Sequence, residues 1–272
     1  MDCICLLLLD IGFMQLDKLK FKIAVIAACF GVAGLSACIS RSELNSESGY
    51  LTDIALITEN SDRFIGKSVS VRNDVLQTIG TRGLILDNDR LFDGQPLLII
   101  NTSEVLLKSP DDRTPEVLIE GKVERFSLNT IAQKYSLDLE SNLYSQYEGK
   151  PVIIAESLIL SPDPEDLTAN PEAYYDIPLA IEGEVDDVMA NGIFELDEEK
   201  AFGGEDLLVI QSGQKTQLKE EQTVIVYGSL HQFEADELEQ NYDLNWDSSV
   251  RSQIEAEYDR QPVFVSDKIQ FL

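Results

Sequence analysis

The chain has 272 residues, 44% of them hydrophobic, and a formal net charge of −28; it is too apolar for a disordered chain and long enough for about two ordinary domains. Past position 37 there remain 18 basic against 46 acidic residues, which argues against nucleic acid and anionic lipid headgroups, since Lys and Arg supply the affinity for both. The cysteines are Cys3, Cys5, Cys29 and Cys38, so the residues after them have neither a disulfide framework nor a Cys-based zinc site.

Lys18, Lys20 and Lys22 precede an apolar run from Ile23 to Leu35, and Leu35-Ser36-Ala37-Cys38 follows. Charge, apolar core and small residues in that order make a secretory signal. The last four residues resemble the lipobox of bacterial lipoproteins. The resemblance implies cleavage before Cys38, a diacylglyceryl group on its thiol, and palmitate as a further acyl chain. The alternative is an uncleaved anchor, since 18 residues separate Lys22 from Arg41, at the lower edge of a bilayer span. Both place the rest of the chain outside the cytoplasm, because the lysines come first. Met14 is an alternative start. The expected organisation is a signal peptide at 1–37, a lipidated N-terminus and Ser-rich tether at 38–51, and two repeats at 52–161 and 162–272. Ile39 is not an acidic retention residue, which favours the outer membrane over the plasma membrane.

The repeat is visible in the letters. Val69, Val71 and Val75 lie 110 positions before Leu179, Ile181 and Val185, and Leu97 to Ile100 stand in the same relation to Leu207 to Ile210. The offset becomes 107 where Val117 to Gly121 meet Val224 to Gly228, and 111 where Pro151 to Ile154 meet Pro262 to Val265. Each copy predicts an opening helix (53–64 and 164–174), with Asn170 as N-cap before Pro171. Strands follow at 68–79 and 178–189, 83–88 and 192–197, 97–100 and 207–210, then 116–126 and 222–233. A helical insert comes next, with Ile131, Tyr135, Leu143 and Tyr147 or Leu238, Tyr242, Val250, Ile254 and Tyr258 at helical spacing. The last strands are 151–160 and 262–271.

The fold class expected is mainly β with helical caps, an α+β chain of two tandem five-stranded Greek-key barrels, each with a helical insert between strands 4 and 5. The strand pattern, best at Ile181-Glu182-Gly183-Glu184-Val185, resembles secreted and periplasmic bacterial OB-fold proteins across most of both repeats. It departs in having its helix after strand 4 rather than strand 3, and in Asn73 where the second copy has Gly183. The resemblance implies a module that binds a protein or small ligand without catalysis, with the strand 4–5 insert a candidate contact surface.

No residue reads as catalytic, cofactor-binding or metal-binding. His231 is the only histidine and reads as a surface or packing residue; the serines have no base partner in the sequence, so no triad is expected. Glu220-Glu221, Glu234 with Asp236-Glu237, and Asp186-Asp187 read as solvated faces. A divalent cation or basic partner is the sharper alternative. Asp87-Asn88-Asp89 with Asp93-Gly94 lacks the EF-hand spacing. Gly94, Gly204, Gly121 and Gly228 read as turn or bulge residues, Trp246 as core filler, and Tyr147 and Tyr258 as packing for the insert. The function expected is a non-catalytic envelope lipoprotein that binds a protein or small ligand. The alternatives are an envelope scaffold and a carboxylate-dependent hydrolase. No cofactor is implied.

Overall fold

The computed structural model describes residues 51–86, 96–103, 114–190, 192–197, 206–242, 244 and 246–272. Cys38 with its leader and the tether up to residue 50, the Asp87-Asn88-Asp89 run with Asp93 and Gly94, and Gly204 lie outside them, while Leu51, at the end of the expected tether, bridges to Ser70. The described residues are mainly β. The expected helix at 53–64 is two pieces, α1 (Ile54–Glu59) and α2 (Ser61–Phe64). Asp53 caps α1 by accepting from the Ala55 amide at 2.6 Å, and Asn60, at φ −120° and ψ 36°, breaks the run.

Five strands follow: β1 (Ser68–Ile79), β2 (Gly83–Leu86), β3 (Leu97–Asn101), β4 (Glu116–Arg125) and β5 (Pro151–Leu160). β1 pairs antiparallel with β2 and β4, β2 with β3, and β4 with β5, while β3 and β5 run parallel. The path β1-β2-β3-β5-β4 therefore closes back on β1, leaving no free edge. Between β4 and β5 lie α3 (Leu128–Tyr135), α4 (Ser141–Tyr144) and a 3₁₀ turn, Ser145–Tyr147.

The C-terminal part repeats the circuit. It opens with α5 (Pro164–Ala169) and a 3₁₀ turn, Pro171–Ala173, and its strands are β6 (Pro178–Val185), β7 (Ile193–Asp197), β8 (Leu207–Gln211), β9 (Thr223–Gln232) and β10 (Pro262–Phe271). β6-β7-β8-β10-β9 closes on β6, again with one parallel pair, β8 with β10. Its insert is α6 (Ala235–Tyr242) and α7 (Ser248–Tyr258). Asn170 stands at the N-cap ahead of Pro171 as expected, although of a 3₁₀ turn and with no side-chain cap bond. One expectation is corrected. The first strand of this ring stops at Val185 rather than 189: Asp186 and Asp187 both bond Glu195, two residues against one as in a bulge, and Ala190 and Ile193 pair across their own tight turn.

Alternation along the strands sorts side chains to two cores. Val69, Val71, Leu84, Leu86, Leu97, Ile99, Val117, Ile119 and Ile153 fill the N-terminal ring. Ile85, Leu98, Ile100, Val152 and Ile154 point outward and are covered by Ile131, Leu137, Leu139 and Tyr144 of the insert. β3 is apolar from Leu97 to Ile100 because it is buried on both faces. The C-terminal ring is built alike, with Leu208, Ile210, Val263 and Val265 under Phe233, Leu238, Leu244 and Ile254. Each such side chain contributes about 2 kcal/mol by leaving water.

All described residues belong to one compact unit, and the rings meet through their β1–β4 and β6–β9 walls. Leu118, Ala180 and Ile225 form the apolar centre of that junction. Repeat counterparts face one another there: Arg72 meets Glu182 at 3.6 Å, the Tyr227 hydroxyl donates to Glu120 at 3.3 Å, and Leu118 clusters with Ile225. Contacts between equivalent residues mark an approximate two-fold relation, as in an isologous dimer.

Candidate functional site

On β9, Val224, Val226 and Leu230 point into the ring, so Ser229 and His231 share the outer face, two residues apart. Ser229 Oγ lies 2.8 Å from His231 Nε2, and His231 Nδ1 lies 3.0 Å from Asp176 Oδ1. The Tyr242 hydroxyl, from the end of α6, is 2.7 Å from the same Nε2, with its ring edge-on to the imidazole. With Asp176 accepting from Nδ1–H, Nε2 is left with one lone pair, for which the two hydroxyls compete. Ser229 is half-buried, and the His231 and Asp176 side chains are 19% and 80% exposed. The sequence offers the serines no base partner, whereas the structure brings Ser229 and Asp176 to the two ring nitrogens of His231. The Ser-x-His spacing on a strand could have signalled the pair, but nothing in the sequence ties Asp176 to it.

Asp176 is fixed by its backbone. Its amide donates to the Leu230 carbonyl at 3.0 Å, and its φ is +60°, a conformation that costs an L-residue about 1 kcal/mol. Its counterpart 110 positions earlier is Gly66, at φ +86°. A carboxylate thus stands where the other ring has glycine. The remaining counterparts are Lys122 for Ser229, Glu124 for His231 and Tyr135 for Tyr242. Glu124 accepts from the Tyr135 hydroxyl at 2.7 Å and from Lys134 at 2.5 Å. Burial works against that carboxylate, but these two hydrogen bonds outweigh it and hold its pKa below the usual range.

Three other clusters stand out. Asp186, Glu195 and Asp206 bring one oxygen each within 4.8 Å of one another. Tyr258 donates to Glu195, and burial, then the neighbouring Asp197, Glu195 and Asp186, push the Asp206 carboxyl up. Hard oxygen donors of this kind are what a divalent cation such as calcium takes. The expected solvated face of Asp186-Asp187 is thus half right: both are exposed, yet Asp186 is drawn into this group.

At the junction, Arg72 Nη2 is 2.7 Å from Glu116 and 2.6 Å from Asp163, and Nε donates to Ser161 Oγ at 2.9 Å. One guanidinium therefore faces three carboxylates, Glu182 included. Burial pushes Glu116 up to about 7, with Asp163, Asp74 and Glu182 adding to the rise and Arg72 opposing it.

A half-open concavity of about 200 Å³ lies at one end of the C-terminal ring, lined by Val188, Ala190, Gly192, Phe194, Gln211 and Leu218 among others. Buried Gln211 shapes it by bonding the Thr216 amide at 2.6 Å and carbonyl at 3.1 Å.

The expected insert residues pack as supports. Trp246 stacks on Phe233 at 6.2 Å, Tyr147 and Tyr258 lie against the outer walls, and Arg251 ties α7 to Asp236 and Glu239 of α6. Gly121 and Gly228 are close-approach positions: a Cβ would meet the Ile154 carbonyl oxygen at 2.3 Å and that of Val265 at 2.0 Å. No protein-family model matches the chain, and no curated protein matches it significantly.

Proposed function

We propose that the chain is an extracytoplasmic lipoprotein, held to the outer or plasma membrane by acyl chains on Cys38, whose two rings are OB-like modules that bind a protein or a small ligand. What supports the module assignment is the circuit itself: five strands in the order 1-2-3-5-4, closed on strand 1, occur twice with an insert at the same place. OB barrels take oligonucleotides on the face of strands 2 and 3. Here that face lies under the chain's own insert in both rings, and the acidic surface repels phosphates. The walls through β1–β4 and β6–β9 lie against each other. Recognition therefore falls to the ring ends.

The observation that carries the binding role is the concavity between Val188 and Leu218. Its volume of about 200 Å³ is below the several hundred Å³ of a site for a drug-sized ligand. It suits one apolar side chain of a protein partner or a ligand of a few carbons. The test has two arms. Cys38→Ala should abolish metabolic palmitate labelling and release the protein from membranes. A photo-crosslinking residue at Val188 should give a discrete adduct in cells that one at exposed Leu76 of the N-terminal ring does not. Equal or absent adducts at both positions count against binding at this end. A scaffold role is the second reading, favoured by the Arg72 junction, which fixes the rings to each other. It predicts adducts from both rings and no effect of filling the concavity with Leu218→Arg.

A further inference from the structure

We infer that Ser229, His231 and Asp176 form a nucleophile, a general base and a positioning residue for acyl transfer from a small, accessible ester, an activity beyond the binding role proposed above. The separations of 2.8 Å from Ser229 Oγ to Nε2 and 3.0 Å from Nδ1 to Asp176 are those a proton relay requires. Asp176 is held by a left-handed backbone at the position of Gly66, as Arg260 is at the position of Gly149. One further observation sets the trio apart from an ordinary histidine packed under an insert. The N-terminal ring keeps the tyrosine contact at the same register but has Lys122 and Glu124 in place of serine and histidine. The N-terminal ring thus fastens its insert through the tyrosine and Lys134 with no serine contact and no aspartate, and the serine and aspartate contacts are additions of the second ring.

The step balances without any group beyond the ester and water. His231 Nε2 takes the Ser229 proton as Oγ bonds to the ester carbonyl carbon and the carbonyl π pair moves onto oxygen. The Tyr242 hydroxyl, within reach of the same Nε2, donates to that oxyanion. Collapse breaks the bond to the leaving alkoxide, which receives the proton from Nε2. Water then repeats the sequence on the acyl-serine, releasing a carboxylic acid and restoring the hydroxyl. A single oxyanion donor, where two are usual, makes a slow enzyme, since each donor is worth about 100-fold or more. Asp176 acts through His231, keeping its tautomer.

The test uses the full-length, detergent-solubilised protein and a small fluorophosphonate, with the labelled peptide identified by mass spectrometry. Labelling is expected on Ser229, absent in Ser229→Ala, and about 100-fold slower in His231→Gln. Asp176→Asn should shift the pH at which the labelling rate half-rises, which a purely structural aspartate would not do. Because a bulky probe can be excluded from a half-buried serine, Ser229→Cys is alkylated with iodoacetamide in parallel. The thiol should react at least tenfold faster with His231 than with His231→Gln. No labelling on Ser229 together with a thiol rate indifferent to His231 overturns the inference, as does labelling that persists unchanged in His231→Gln. Either result leaves the concavity and its crosslinking test untouched.

Discussion

The two rings use the same outward position of their fourth strand in different ways. In the N-terminal ring, position 124 is a carboxylate gripped by Tyr135 and Lys134, a charged clamp holding the insert to the wall. In the C-terminal ring, position 231 is an imidazole with Tyr242, Ser229 and Asp176 around it. Geometry is held constant by the fold, since both tyrosines sit at 2.7 Å, and the chemistry varies. A duplicated scaffold can keep one copy as structure while the other acquires a group that carries a proton.

The junction is where the comparison breaks most easily, because the counterparts Arg72 and Glu182 are opposite in charge. Arg72→Ala removes a cation that faces Glu116, Asp163 and Glu182. The cost expected is about 2 kcal/mol, below the range for breaking a fully buried pair because the carboxylates keep part of their exposure to water, and should appear in chemical denaturation as loss of the junction. Arg72→Met should cost less, since it restores the packing of the stem.

Glu116 gives the same junction a pH dependence. Its folded pKa of about 7 lies above the ordinary 4.5, so the folded protein holds more protons than the unfolded chain between those values. Stability is then greatest at the acid end of that window and is lost as pH rises towards about 7, by roughly 2 kcal/mol. Melting temperatures from pH 5 to 8 check this. Glu116→Gln should flatten the slope relative to the parent and raise stability at pH 8, and a parallel shift of the whole curve would show that other carboxylates dominate.

How much of this was legible in the sequence follows from the range of each interaction. Alternation at Val69, Val71 and Val75, and the repeated Leu97 to Ile100 run, disclose the strands because burial on one or two faces is a local pattern. The helical spacing of Ile131, Tyr135 and Tyr147 discloses the insert likewise. What covers what is not local: that the insert closes the strand 2–3 face, and that Arg72 meets its own counterpart, depends on ring closure. Ser229 and His231 are adjacent on one face and could have been paired. Asp176 lies 55 positions from His231 and is brought there by the β6–β9 register.

The glycines test whether the rings share one closure mechanism. Gly121 and Gly228 are counterparts at which the fourth strand passes against the carbonyl of the fifth, beside register shifts in both pairs. Replacing either with Ala forces a Cβ into backbone, and about 1–3 kcal/mol should be lost at each. Gly228→Ala should be the worse, since its carbonyl is nearer by 0.3 Å. Thermal melts showing one tolerated and the other not would mean that the rings close differently.

The smallest expected effect separates the two clamps themselves. Tyr135 donates to a carboxylate whose pKa is held down, so its hydrogen bond is charge-assisted, whereas Tyr242 shares the imidazole Nε2 with Ser229. Hydrogen bonds to charged groups contribute about 1.5 kcal/mol or more and neutral ones about half of that. Tyr135→Phe should therefore cost about 1.5 kcal/mol and Tyr242→Phe about 0.5. The first cost should shrink in high salt, because Lys134 and Glu124 are screened there, while the second should not move. If both substitutions cost the same at every ionic strength, position 231 is an equivalent fastening and the imidazole has no role apart from the clamp. If Tyr242→Phe is nearly silent, the Ser229 hydroxyl has taken over the bond to Nε2, which is the arrangement that leaves the serine poised on its base.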